Sequence, residues 1–208
     1  MTAAVKVLLV EDHFLARTAL RSVLNGRFEV NVAGEAESGE QALALYDTVA
    51  PDVTLMDLRL PGMSGFDAIT AIRKKHREAR IVVLSNYEGS EDIFRALRAG
   101  AMGYLTKDAS GDQVLDAILT VRRGVRYLPP AVRDLLAHRL PLAELTPREH
   151  QILTLITKGL NNRDIAKELD IADKTVRVHV SSVLEKMNAR DRTQAAIYAI
   201  QHGLVHLP

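Results

Sequence analysis

Six polar side chains in the first half of this sequence fall where short apolar runs end. Lys6-Val7-Leu8-Leu9-Val10 runs into Glu11-Asp12, and Val53-Thr54-Leu55-Met56 runs into Asp57. Ile81-Val82-Val83-Leu84 runs into Ser85, and Gly103-Tyr104-Leu105 runs into Thr106-Lys107. Singly, each has a plain structural role. Read alone, Glu11-Asp12 would cap a helix, Asp57 would cap a turn, Ser85 would end a strand, Lys107 would be a surface lysine and Tyr104 would be core. Jointly they describe chemistry. Three carboxylates held together repel and call for a cation. Hard oxygen donors of this kind suit Mg²⁺, which keeps waters and shares its shell with phosphate. A lysine and a hydroxyl in the same cleft can hold phosphoryl oxygens. The set describes a carboxylate nucleophile that accepts phosphate.

The elements that must position these groups follow from the pattern. Five strand–helix alternations lie within residues 5 to 123. Strands separated by helical segments mean crossover connections and a parallel sheet covered on both faces. The expected fold is α/β, a five-stranded doubly wound parallel sheet of flavodoxin-like order, with its chemistry outside the carboxyl ends of the strands. Leu60-Pro61-Gly62 turns the chain sharply after Asp57, because Pro fixes φ and Gly tolerates positive φ. The helix over 14–25 is expected to bury Leu15, Ala19, Val23 and Leu24, and the second strand to cover Val30 to Ala33.

Composition limits the alternatives. Hydrophobic residues make up 47% of the 208 and aromatics only 4%, so aliphatic side chains must pack the cores. The absence of Cys excludes a disulfide scaffold, a Cys-ligated zinc site and a thiol nucleophile, and fits a reducing cytoplasm. Val7-Leu8-Leu9-Val10 is too short for a signal-peptide core, and no run is long enough to span a membrane. Net charge is −2 over residues 1–123, +2 over 124–143 and +1 over 144–208, so a nucleic-acid interface has to rest on local pattern.

Residues 124–143 contain Pro129, Pro130 and Pro141 and are expected to form a tether with one short helix. Beyond it lies a small all-α domain of four helices. Thr146-Pro147-Arg148-Glu149 combines an N-cap, Pro at the first helical position and a capping-box glutamate. Asn161 or Asn162 is expected to cap the second helix and Asp173 the third. On that third helix Val176, Val180, Val183, Leu184 and Met187 share one face at 100° per residue. Lys174, Val178, Ser181 and Ser182 fall opposite, with Thr175 and Arg177 on the edges. Small and basic groups near a helix amino end suit insertion into a major groove. A solvated face of a small bundle gives the same pattern.

Residues 5 to about 123 resemble the receiver domain of bacterial two-component response regulators. The segments that carry the likeness are LLVEDH, LMDLRLPGMSG, VVLSNY and GAMGYLTKD. The resemblance implies that Asp57 is phosphorylated by a sensor histidine kinase. It implies Mg²⁺ held by Asp12, Asp57 and the backbone carbonyl of Arg59, with Glu11 acting mostly through water. Lys107 would pair with the phosphoryl oxygens, Ser85 would move to hydrogen-bond them, and Tyr104 would turn inward. Residues 144–206 resemble the LuxR/NarL-type helix-turn-helix output domain through LTPREHQIL and GLNNRDIAKELDIADKTVRVHVSSVLEKM. That likeness implies a third helix in the major groove of promoter DNA, with Lys174, Thr175, Arg177, Val178 and Ser181 as contacts. It also implies a last helix that pairs two protomers into a homodimer on phosphorylation. Many relatives carry a basic residue where this chain has Ser181.

The whole is then a receiver over 1–123, a linker over 124–143 and a DNA-binding domain over 144–208. It is expected to be a cytoplasmic transcriptional regulator and not an enzyme. Haloacid-dehalogenase-like phosphatases place a second carboxylate two residues after the nucleophile, and here that position is Arg59. A protein-interaction module is the other alternative, and steep salt dependence of DNA binding would tell against it. Arg59 and Tyr87, each two residues past an active group, are expected to flank the phosphoryl group and hinder attacking water.

Overall fold

The computed structural model describes residues 3–86, 89–137 and 145–206. The chain divides into two compact units, the first built on a sheet and running to Ala137, the second built on the C-terminal helices. In the first, β1 (Val5–Val10), β2 (Val30–Ala36), β3 (Val53–Met56), β4 (Ile81–Ser85) and β5 (Gly103–Thr106) pair in parallel in the order β2-β1-β3-β4-β5. The connections are α1 (Phe14–Asn25), α2 (Gly39–Val49), α3 (Gly65–Lys75) and α4 (Ser90–Ala99), and α5 (Gly111–Arg122) follows β5. This is the doubly wound arrangement expected from the alternation.

Both faces of the sheet are covered, which explains the near-continuous apolar runs. Successive side chains of a strand point to opposite faces. Leu8 and Val10 therefore join Met56, Ile69, Ile72, Ile81 and Val83 in one core. Val7 and Leu9 join Leu55, Val82, Leu105 and Ile118 in the other. Each such side chain, taken out of water, contributes roughly 1.5–3 kcal/mol. Ser38, Ser64 and Ser110 cap α2, α3 and α5 by accepting from the backbone N–H of Gln41, Asp67 and Gln113. Each cap satisfies a donor that the helix itself leaves unpaired.

Three expectations for this unit need correction. The buried face of α1 is formed by Arg17, Leu20 and Leu24, while Leu15 and Val23 are 78% and 42% exposed and Ala19 is exposed as well. The helix is rotated because Arg17 is drawn inward to the backbone of Glu11 and Asp12. β2 extends three residues past Ala33, since a register irregularity at Val7/Leu8 carries the pairing through Gly34 and Glu35. The segment after residue 123 is not a free tether over its first part. Tyr127 bridges Gly103 and accepts a hydrogen bond from the N–H of Tyr104, and α6 (Pro130–Ala137) buries Val132 in the first core. The apolar residues Leu128, Val132 and Leu136 recur at helical spacing and are covered by packing there. The remainder of the expected linker, 138–143, lies outside the described residues.

The second unit holds α7 (Pro147–Thr157), α8 (Asn162–Glu168), α9 (Asp173–Lys186) and α10 (Arg192–Gln201). Asn161, not Asn162, caps α8 through the N–H groups of Arg163 and Asp164. The N-cap of α9 is Ala172, without a side-chain bond. Asp173 is the first helical residue instead, and its carboxylate accepts from Arg177 Nε at 2.8 Å. Among the described residues no helix is long and apolar enough to cross a membrane.

Candidate functional site

The sheet's hydrogen-bond ladder continues past the strand ends and fixes the polar residues there. Glu11 N–H donates to Ala36 O at 3.0 Å, Asp57 N–H to Val10 O at 3.0 Å, and Lys107 N–H to Ser85 O at 3.1 Å. Four adjacent strands thus hold Glu11, Asp57, Ser85 and Lys107 at one edge. The Lys107 ammonium lies 2.7 Å from Asp57 Oδ2 and 2.7 Å from Glu11 Oε2. Asp57 is 3% exposed and Glu11 1%. Arg59 supplies its backbone N–H to Asp57 Oδ1 at 3.1 Å. Both oxygens of the Asp57 carboxylate are therefore oriented by fixed donors.

Burial works against the Lys107 ammonium, but hydrogen bonds and charge from Asp57 and Glu11 outweigh it and raise its pKa above the ordinary value. Lys107 is cationic throughout the physiological range. Beside this pair, Glu11, Asp12 and His13 bring possible metal-ligand atoms within 4.8 Å of one another. Asp12 is partly open, while Ser85 and Tyr104 are fully buried. Tyr104 stands inward in this structure, within the core that holds Met56 and Val83.

The loop after Asp57 owes its path to two glycines. A Cβ on Gly65 would lie 2.1 Å from the Asp57 carbonyl oxygen, so α3 can start against the site only at Gly65. Gly62 has φ +71°, and the next N–H, that of Met63, donates to Glu40 Oε1 at 2.8 Å. Backbone in that left-handed region is open to Gly at little steric cost.

In the second unit the two faces of α9 separate as the pattern predicts. Val176, Val183 and Met187 are buried, whereas Lys174, Thr175, Arg177, Val178 and Ser181 are all exposed. Val178 is 63% exposed, an apolar side chain standing on an otherwise polar face. Ser182 departs from the expectation. Its hydroxyl donates to Glu149 Oε1 at 2.6 Å, which ties it to the inside of the bundle.

Over residues 7–119 the chain matches the family described as "Response regulator receiver domain", and over 143–199 that described as "Bacterial regulatory proteins, luxR family". It is 39% identical over 206 residues to the response regulator protein VraR of Staphylococcus aureus, covering 97% of this chain and 99% of VraR. The chain belongs to the response regulators of two-component systems, with a LuxR-type DNA-binding domain. Solved structures agree. The response regulator ChrA of a heme-sensing two-component system aligns with TM-score 0.59 at 33% identity, over 98% of this chain and all of ChrA. A LuxR-family response regulator from Aurantimonas sp. aligns with TM-score 0.62 at 33% identity, over 64% of this chain and 96% of that one.

For this response regulator the sequence pointed to the strand-end residues and missed what braces them. Arg17, 8% exposed, donates to the Glu11 carbonyl at 2.7 Å and the Asp12 carbonyl at 3.3 Å. It also pairs with Glu35 and Glu37 at the end of β2. Its only sequence signal is its spacing of three before Leu20 and seven before Leu24, on the buried face. Glu149 closes the expected capping box and does more besides. It is 4% exposed and accepts from Thr146 N–H, Ser182 Oγ and Lys186 Nζ at 2.6–2.7 Å. Tyr87, expected to flank the phosphoryl group with Arg59, lies outside the described residues.

Proposed function

We propose that Asp57 accepts a phosphoryl group from a sensor histidine kinase and that this event switches on promoter binding through α9. The observation that carries the reading is the buried Asp57 carboxylate, oriented on one oxygen by Lys107 and on the other by the Arg59 N–H. An Asp57 oxygen attacks the phosphorus of the phosphohistidine, a P–O bond forms, and the P–N bond breaks to return the kinase imidazole. The product is an acyl phosphate. Lys107 lies where the new oxygens arrive and neutralises part of their charge, a stabilisation that needs no reorganisation at the moment of transfer. Ser85 supplies the hydroxyl at the end of the neighbouring strand, and Tyr104 backs it from the core.

The donor set fits Mg²⁺, because it consists of hard carboxylate and carbonyl oxygens beside a phosphate position. Asp12, Asp57 and the Arg59 carbonyl would hold the ion, with Glu11 through water, and the ion would neutralise charge on the transferred group. In this reading residues 1–123 carry the phosphoryl chemistry, 124–143 connect, and 144–208 read DNA. Lys174, Thr175, Arg177, Val178 and Ser181 face the groove. The phosphorylated protein acts as a homodimer in the cytoplasm, and its own chemistry stops at accepting and losing phosphate.

The test is direct. The full chain is incubated with Mg²⁺ and acetyl phosphate and its mass is measured. Wild type gains one phosphoryl group that hydroxylamine removes, as expected for an acyl phosphate, and Asp57→Asn gains none. A labile phosphoryl group retained by Asp57→Asn would put the acceptor elsewhere.

A further inference from the structure

Arg17 is a buried cation that the phosphoryl chemistry at Asp57 does not use. It lies on α1, yet it holds the loop that leads into that helix. Its guanidinium Nη1 donates to the carbonyl oxygens of Glu11 and Asp12 at 2.7 and 3.3 Å. Its backbone N–H donates to the carbonyl of His13 at 2.9 Å. One residue therefore fixes three consecutive carbonyl groups in the segment that carries two of the acidic side chains.

The carboxylates of the pocket differ in what orients them. Asp57 is held by Lys107 and by the Arg59 N–H. Glu11 is held by Lys107 at 2.7 Å and by the His13 N–H at 3.2 Å. Among the described residues the Asp12 carboxylate pairs only with the exposed His13 imidazole, at 3.7 Å. The placement of Asp12 thus rests on its backbone, and that backbone rests on Arg17.

A cation beside a metal position would repel the metal unless its charge were offset. Glu35 and Glu37 pair with Nε and Nη2 of Arg17, and Arg21 pairs with Glu35 in turn. Two arginines against two glutamates leave the network neutral. Arg17 can then act on the acidic loop by geometry rather than by charge. Its planar fork serves carbonyls with one nitrogen and carboxylates with the other two, which a lysine ammonium, a point charge, cannot match.

We propose that Arg17 is a positioning residue for the divalent cation, one that sets Asp12 for coordination and takes no part in transfer at Asp57. Among the described residues it makes no hydrogen bond or ion pair with Asp57 or Lys107. The proposal rests on the Mg²⁺ reading above.

The test titrates Mn²⁺, which takes the same hard oxygen donors, into the full chain. Free ion is counted by electron paramagnetic resonance, with Mg²⁺ as competitor. Phosphoryl uptake from acetyl phosphate is followed by mass over a Mg²⁺ series. Arg17→Met combined with Glu37→Gln removes the fork together with a carboxylate that it neutralises. This variant binds Mn²⁺ roughly ten-fold or more weakly, as for other partners that orient a metal ligand from outside. It needs correspondingly more Mg²⁺ for uptake, while the rate at saturating Mg²⁺ matches wild type. Arg17→Lys keeps the charge and shows the same loss, whereas Glu37→Gln alone keeps the carbonyl bonds and binds Mn²⁺ as wild type does. Wild-type Mn²⁺ affinity in either Arg17 variant overturns the proposal. An equal loss in Glu37→Gln also overturns it, since charge would then explain the effect. So does a saturated rate that falls with the affinity, since Arg17 would then act on the fold or on Asp57. Failure of wild type to bind Mn²⁺ in competition with Mg²⁺ removes the Mg²⁺ reading itself, and the inference with it.

Discussion

Glu149 shows how one side chain holds the DNA-binding unit together. It closes a capping box at the start of α7 and accepts from Ser182 and Lys186 on α9. Burial pushes its carboxyl up, but hydrogen bonds from Lys186, Ser182 and Thr146 outweigh that and lower it from the ordinary 4.5 to about 2. A carboxyl depressed in the folded state contributes stability that is complete above its unfolded value. The contribution is lost as pH falls from about 4.5 through about 2. Acid titration followed by circular dichroism should therefore show helix loss across that window. Glu149→Gln should be less stable at pH 7 by about 2 kcal/mol, as expected for losing a charged cap and buried acceptor, with a flatter acid limb. An unchanged acid limb in that variant would show that Glu149 is not the titrating group. The capping role was legible from Thr146 and the residue three after it. The partners Ser182 and Lys186 were not, because they lie more than thirty residues away and only the packing of α9 on α7 brings them near.

At the scale of elements, the strands were the most legible part. Each buried strand is an apolar run ending on a polar group, and the sheet order follows from the crossovers. Helix rotation was harder to read. In α1 the aliphatic spacing favoured Leu15 and Val23, but a buried arginine turns the helix, and arginine in an amphipathic pattern reads as solvent-facing. The extent of the first unit was hidden for a similar reason, since three prolines between 124 and 143 suggested a tether while Val132 is packed in the core. The start of α3 offers a sharp test of how elements define the acidic pocket. Any Cβ at Gly65 collides with the backbone of Asp57 and Leu58. Gly65→Ala must displace either the helix or the strand end, a cost of several kcal/mol by analogy with overpacked sites. Urea denaturation should show the loss of stability. The variant that remains folded should take up phosphoryl groups from acetyl phosphate at least ten-fold more slowly. Wild-type stability and uptake together would mean that the Asp57 loop is not braced by α3.

For the whole molecule, the two units carry two halves of one function. The first supplies a buried carboxylate between a lysine and a backbone donor. The second supplies a helix with one apolar and one exposed face. A ligand or modification shifts an equilibrium only through its different free energy in the two states. In the proposed switch, a phosphoryl group on Asp57 would add charge beside Lys107 and near Ser85. Near-neutral charge in the second unit supplies little bulk attraction to DNA, so affinity has to rest on local contacts. The most direct measurement is DNA selection from a random pool by the full chain, with and without Mg²⁺ and acetyl phosphate, for wild type and Asp57→Asn. Enrichment of an inverted repeat by phosphorylated wild type, and not by Asp57→Asn, is the predicted result. Equal enrichment by both proteins under all conditions would contradict a switch seated at Asp57.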